Sequence, residues 1–166
     1  MNKIRMIALA ACMAATLDAS AQEQEIRLFS HRGGRMEHDE NTLSAFQASY
    51  DAGYRGFETD IRMTRDGALV ITHDSSLERT TDGTGTVEEK TEAEIRQLAT
   101  KQGNKMMFLD ELLEFLKGKE GLYVEFEMKT KPVELYPEER LHAYCDKLYD
   151  AVMAVKPADA VFVFTS

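Results

Sequence analysis

The sequence predicts an α/β fold with largely parallel strands, and three observations carry that expectation. Apolar runs of strand length recur along the chain, at residues 26–30, 56–63, 68–72, 122–128 and 160–164. Segments with apolar residues at helical spacing stand between most of them, and such alternation builds a sheet through crossover connections. Cap and turn signals punctuate the alternation, with no repeat or low-complexity stretch to suggest another architecture. With 166 residues the chain is long enough for one domain.

The elements follow in order. Ile26 to Ser30 is a short strand running into His31-Arg32-Gly33-Gly34. A helix is expected over 41–52, with Leu43, Phe46 and Tyr50 on one face and Gly53 as its stop. Gly56 to Met63 is a strand, Asp66-Gly67 a turn, and Ala68 to Thr72 the returning strand. Residues 74–90 are polar and read as a long loop. Thr91 with Glu94 forms a capping box for a short helix that turns Ile95 and Leu98 inward. A helix over 109–117 stops at Gly118, and 122–128 is a strand alternating apolar and acidic residues. Pro137 opens the longest helix, whose stripe is Leu141, Tyr144, Cys145, Leu148, Val152 and Val155. The strand at 160–164 ends the chain without a covering element, which reads as a fragment of a larger domain.

The first residues read differently. Lys3 and Arg5 precede the apolar run Met6–Leu17, and Ala19-Ser20-Ala21 is a small-x-small site, so residues 1–21 are expected to be a secretory signal peptide cleaved after Ala21. The domain is then 22–166, secreted or periplasmic. A competing reading takes Leu9-Ala10-Ala11-Cys12 as a lipobox and anchors the chain through Cys12. The apolar run is too short to span a bilayer. Cleavage removes Lys3, Arg5 and Asp18, turning 20 basic and 29 acidic residues into 18 and 28, a net charge of −10. Such a surface argues against nucleic acid and anionic membrane as partners and suits divalent cations. Cys145 alone remains of the cysteines, so no internal disulfide is expected, and it reads as a small buried residue on its helix.

Candidate chemistry gathers at strand ends. His31 and His73 each follow a strand. Glu58 with Asp60, and Glu125 with Glu127, are two apart, so each pair shares one sheet face. Carboxylates turned into an interior need a cation, and hard oxygen donors suit Mg²⁺ or Ca²⁺. If Asp66-Gly67 is the centre of a two-residue hairpin, Asp60 lies directly opposite His73, about 5 Å away. Taken singly, each of these residues has an ordinary role open to it. The histidines can be structural, the acidic pairs a solvated face, and Arg32 and Lys129 plain counter-charges. His38 and His142 belong to no motif.

Taken together, these residues resemble the glycerophosphodiester phosphodiesterase family. The resemblance rests on His31-Arg32-Gly33, Glu40-Asn41-Thr42, Ala45-Phe46, Gly53, Glu58-x-Asp60, Thr64-x-Asp66-Gly67, His73-Asp74, Leu77-x-Arg79-Thr80-Thr81 and Glu127-x-Lys129, in order and at that family's spacing. It implies a TIM-type (β/α) barrel, here incomplete, with a small insertion at about 74–108. It implies one divalent cation, Ca²⁺ or Mg²⁺, on Glu58, Asp60 and Glu127, with His31 and His73 as general acid and base in either assignment. It implies that Arg32 and Lys129 bind the substrate phosphate, with Glu40 and Glu125 as possible supporting groups. Asp39 stands where that family usually has proline, which alters the stiffness of the loop. The implied activity is hydrolysis of a glycerophosphodiester to glycerol phosphate and an alcohol. A phospholipase-type phosphodiesterase and an inactive metal- or phosphate-binding fragment are the alternatives. Oligomeric state is not read from the sequence.

Overall fold

A computed structural model describes residues 28–166; the expected signal peptide, its cleavage site, Cys12 and the start of the first strand at Ile26 lie outside the described residues. Five strands form one sheet: β1 (Phe29–His31), β2 (Gly56–Met63), β3 (Leu69–Ile71), β4 (Tyr123–Met128) and β5 (Val161–Thr165). The order is β1-β2-β4-β5, all parallel, while β3 pairs antiparallel with β2. Four helices connect them: α1 (Leu43–Asp51), α2 (Glu92–Ile95), α3 (Leu109–Leu116) and α4 (Glu138–Val155).

Two faces with opposite chemistry follow from the strand period. Phe57 and Ile61 of β2 and Val124 and Phe126 of β4 turn to one side, where Phe46 of α1, Leu112 and Leu116 of α3, and Tyr144, Leu148 and Val152 of α4 cover them as one buried core. Glu58, Asp60, Glu125 and Glu127 turn to the other. Helices on one face of parallel strands and charged groups on the other is the layout of a TIM-type barrel, in which the helix-free face is the barrel interior. The described residues supply four of its parallel strands, an incomplete ring. Below the charged block, Gly56 leaves room between Phe29 and Tyr123, whose rings meet edge to face at 4.9 Å.

Local signals account for most boundaries. Thr42 caps α1 by accepting from the Ala45 N–H, and Gly53 follows the helix at φ 96°. The Thr91–Glu94 capping box opens α2 as expected, and Glu111 accepts from the Phe108 N–H at the start of α3.

Three expectations need correction. The β2–β3 turn has three residues, Arg65-Asp66-Gly67, closed by the Gly67 N–H on the Thr64 carbonyl and the Thr64 N–H on the Ala68 carbonyl. Gly67 takes φ 87°, the left-handed residue that a three-residue hairpin loop requires. The register therefore pairs Ile61 with Ile71, and Asp60 faces Thr72 rather than His73. Residues 74–90 are more than a polar loop, while the short helix after them turns Ile95 inward as expected. Leu77, Val87, Ile95, Met106 and Phe108 pack with Ala68 and Val70 into a second small core, and Val87–Glu89 forms a 3₁₀ turn. Lastly, Cys145 is exposed. Tyr144, Leu148 and Val152, four apart, are the buried stripe of α4, and Cys145 falls one position to its side.

Candidate active site

The site begins with register. Parallel pairing sets His31 beside Glu58, Glu58 beside Glu125, and Asp60 beside Glu127, all near the C-terminal ends of their strands. In this architecture that is the end at which functional groups collect. One oxygen each from Glu58, Asp60 and Glu127 lies within 4.8 Å of the others. Glu125 stands outside this trio and accepts a hydrogen bond from Thr165 Oγ1 at 3.2 Å.

Asp60 is fully buried and is the hub. Its Oδ2 accepts from Asn41 Nδ2 at 2.9 Å and lies 3.1 Å from Arg32 Nε, while Oδ1 lies 3.0 Å from Lys129 Nζ. Lys129 also donates to Glu127 Oε1 at 2.5 Å. Arg32 and Asn41 both adopt left-handed backbone, φ 54° and 59°, and their main chains join through the Asn41 N–H on the Arg32 carbonyl. Between them the chain turns so tightly over α1 that a Cβ on Gly33 would sit 3.0 Å from Ala45 Cβ. This loop presents the Arg32 N–H to Glu58 at 3.1 Å and the Arg32 guanidinium to Asp60.

Several features fit a hard cation at the carboxylate trio. The donors are all carboxylate oxygens. Glu58 Oε1 is buried and has no hydrogen-bond partner; Asp60 Oδ1 likewise lacks one, since Lys129 approaches within ion-pair distance but outside hydrogen-bonding geometry. Burial, then the charge of Asp60, pushes the Glu58 carboxyl up to about 7. A set of acids this poorly compensated by Arg32 and Lys129 has room for additional positive charge.

The two histidines are held by different partners. His31 Nε2 is 3.6 Å from Glu58 Oε2, and partial burial followed by Arg32 and Arg35 holds the imidazole below its ordinary value. His73 is attached differently. Its Nδ1 lies 2.6 Å from Asp74 Oδ1, and its carbonyl accepts from Arg62 Nε at 2.9 Å. Asp74 sits at about 2: burial opposes ionisation, but the Arg79 and His73 hydrogen bonds outweigh it. An ionised Asp74 accepts a hydrogen bond from Nδ1–H, which leaves Nε2 as the free nitrogen.

Sequence reasoning passed over several residues that the structure brings to this site. Asn41 was visible only as the middle of Glu-Asn-Thr. Arg62 and Glu88 are buried and bonded at 2.7 Å, and Arg62 also donates to the Lys131 carbonyl at 2.9 Å. Ser75 and Tyr136 donate to Glu88 at 2.6 and 2.8 Å, so the segment after His73 and the segment after Lys129 are tied to one buried ion pair. No motif could have joined residues 62, 88 and 136. Asp39, in place of proline, does more than loosen a loop. Its Oδ2 accepts from Thr100 Oγ1, the Gln102 N–H and Asn104 Nδ2, fastening the far end of the insertion beside Glu40.

Comparison with known proteins gives this geometry a family. The profile of the Glycerophosphoryl diester phosphodiesterase family matches residues 31–162. The glycerophosphodiester phosphodiesterase of Caldanaerobacter subterraneus subsp. tengcongensis is 37% identical over 123 residues, covering 69% of this chain and 50% of the relative. A phosphodiesterase from Oleispira antarctica, solved in complex with the product sn-glycerol-3-phosphate, superposes with a TM-score of 0.71 at 29% identity, over 84% of this chain and 56% of that one. A glycerophosphoryl diester phosphodiesterase from Parabacteroides distasonis gives 0.65 at 29% identity, over 87% and 48% respectively. The chain thus spans about half the length of the relatives it matches.

Proposed function

The chain belongs to the glycerophosphoryl diester phosphodiesterase family, and on that premise we propose that it carries the catalytic residues for hydrolysing a glycerophosphodiester to glycerol phosphate and an alcohol. The observation that carries this reading is the convergence of Glu58, Asp60 and Glu127 within 4.8 Å on the inner face, flanked by His31, Arg32 and Lys129.

In this reading Glu58, Asp60 and Glu127 hold one divalent cation, Mg²⁺ or Ca²⁺. When bound, such a cation polarises the phosphate and acidifies an attacking hydroxyl. Arg32 and Lys129 are already gathered at the same carboxylates and turn toward phosphoryl oxygens as substrate enters, where a guanidinium can pair two oxygens. The new P–O bond forms either to water, giving glycerol phosphate directly, or to a hydroxyl of the substrate's own glycerol, giving a cyclic phosphate whose ring P–O bond water then breaks. On both routes the bond to the departing alcohol breaks. One histidine accepts the proton of the attacking hydroxyl, and the other delivers a proton to the leaving oxygen. The Asp74 contact suits His73 to this work, because it fixes the tautomer and leaves Nε2 available. A chain with a signal peptide at 1–21 would do this outside the cytoplasm, the location proposed for it. Support for the substrate class comes from the family and from the sn-glycerol-3-phosphate product in the Oleispira antarctica relative.

The test is phosphorus NMR of glycerophosphocholine incubated with the chain and Mg²⁺ or Ca²⁺. Glycerol phosphate should accumulate, and His31→Ala or His73→Ala should slow it at least ~10²-fold with the fold intact. Near-normal turnover in either variant would remove that histidine from the chemistry. Turnover of intact phospholipid in preference to the soluble diester would favour the phospholipase-type reading.

A further inference from the structure

Arg79 lies in the insertion, outside the carboxylate trio, yet every nitrogen of its guanidinium is taken by a carboxylate at the edge of the site. Nε donates to Asp74 Oδ2, NH1 to Glu40 Oε2 at 3.0 Å and NH2 to Glu40 Oε1 at 2.7 Å. Each carboxylate has a second engagement. Asp74 holds His73 Nδ1 at 2.6 Å, and Glu40 Oε1 accepts from Arg32 NH1 at 3.2 Å. The contacts therefore run without a break from His73 through Asp74, Arg79 and Glu40 to Arg32 and Asp60.

We propose that Arg79 is a positioning residue that locks His73 and Arg32 into one arrangement, so that the insertion sets the geometry between a proton-transfer group and a phosphate-binding group. The inference rests on the phosphodiesterase reading for its consequence, but its structural content stands independently. Three features argue for positioning over substrate contact. The guanidinium has no nitrogen free of protein carboxylates. Its two-oxygen engagement of Glu40 is the fork geometry that lysine cannot reproduce. The side chain is 48% exposed, so it adds little to the folded state as an ion pair, and a role limited to stability would be weak. The backbone supports the same division of labour. Residues 77–81 are held to the insertion core by Leu77 and by the Thr81 N–H on the Leu77 carbonyl, a base from which Arg79 reaches across 39 positions of sequence to Glu40.

Asp74 without Arg79 keeps only the imidazole as its side-chain partner and is free to rotate away from it. Glu40 in turn loses the contact that orients it toward Arg32. Misplacement of a reacting group by this kind of loosening costs about tenfold to a hundredfold in rate.

The experiment compares Arg79→Ala and Arg79→Lys with the wild-type chain by two readouts. The first is kcat and KM for glycerophosphocholine. The second is the tautomer of His73, from ¹⁵N shifts of its two ring nitrogens at a pH where the ring is neutral, with His73→Ala giving the assignment. Both variants should lose about tenfold or more in kcat with KM within about threefold. His73 should pass from a single Nδ1–H tautomer to a mixture. An unchanged tautomer in both variants overturns the proposal, even where kcat falls, since Arg79 would then be acting on substrate. Wild-type kcat in Arg79→Ala overturns it as well. If the wild-type chain shows no turnover, the phosphodiesterase reading fails, and the tautomer alone decides for or against the lock.

Discussion

Asp60 accepts from Asn41 and faces Arg32 and Lys129 while fully buried, so no single neighbour sets its state. Asn41 is the informative one to change. It supplies both a left-handed backbone and the 2.9 Å hydrogen bond. Asn41→Gly keeps the first and deletes the second, so it should still fold, lose about 1–3 kcal/mol of stability for the unpaired buried carboxylate, and lose about tenfold in kcat. Wild-type kcat in that variant would show that Asp60 needs no orienting donor. At this scale the sequence was legible in residue types but not in partners. Glu58, Asp60 and Glu127 stood out through spacing on two strands, whereas their convergence depended on the β2–β4 register, which no local pattern encodes. Arg32 and Lys129 were read as phosphate ligands by resemblance. In the structure they are also the counter-charges of Asp60, and these two roles are compatible once a substrate phosphate enters.

Elements were legible where a local signal was complete. The Thr91–Glu94 box, Gly53 after α1 and the full span of β2 all follow from sequence, since caps and strand alternation act over a few residues. The hairpin failed for a physical reason: Asp-Gly serves both two- and three-residue loops, and the choice moves His73 by one register position. Gly67→Val should therefore cost about 1 kcal/mol or more by urea denaturation, because φ 87° is unfavourable for a β-branched residue. The stretch 74–90 was misread as a plain loop because its polar composition hides part of a small core and one partner of a buried ion pair. Glu88 is the sharper test there. Burial opposes its ionisation, but hydrogen bonds from Ser75 and Tyr136, together with Arg62, hold the carboxyl below its usual 4.5. A lowered folded-state value contributes stability above pH 4.5 that is lost as pH falls through the folded value. Glu88→Gln should lose about 3 kcal/mol at pH 7, and the gap from wild type should narrow below pH 4.5. A gap independent of pH down to acid unfolding would contradict the assignment of the stabilisation to the carboxylate charge.

Over the whole molecule, the fold separates apolar from charged chemistry across one sheet. Core residues of β2 and β4 face the helices, and the carboxylates of the same strands face the barrel interior. That division was legible because strand periodicity is a property of the chain itself. The ring is incomplete over the described residues, and no helix among them is long and apolar enough to cross a membrane. An inner face carrying three converging carboxylates is stabilised by whatever cation it binds. Saturating Ca²⁺ or Mg²⁺ at about 100 times its dissociation constant should add about 2.7 kcal/mol to unfolding, reversibly removed by chelator.

The most direct measurement is turnover of glycerophosphocholine by chelator-treated chain as Mg²⁺ or Ca²⁺ is restored, with Asp60→Asn run beside wild type. Turnover should be absent before cation is added, return saturably in wild type, and fail to return in Asp60→Asn at the same concentrations. Turnover that persists in chelator, or equal restoration in Asp60→Asn, would contradict the assignment of the site to these carboxylates.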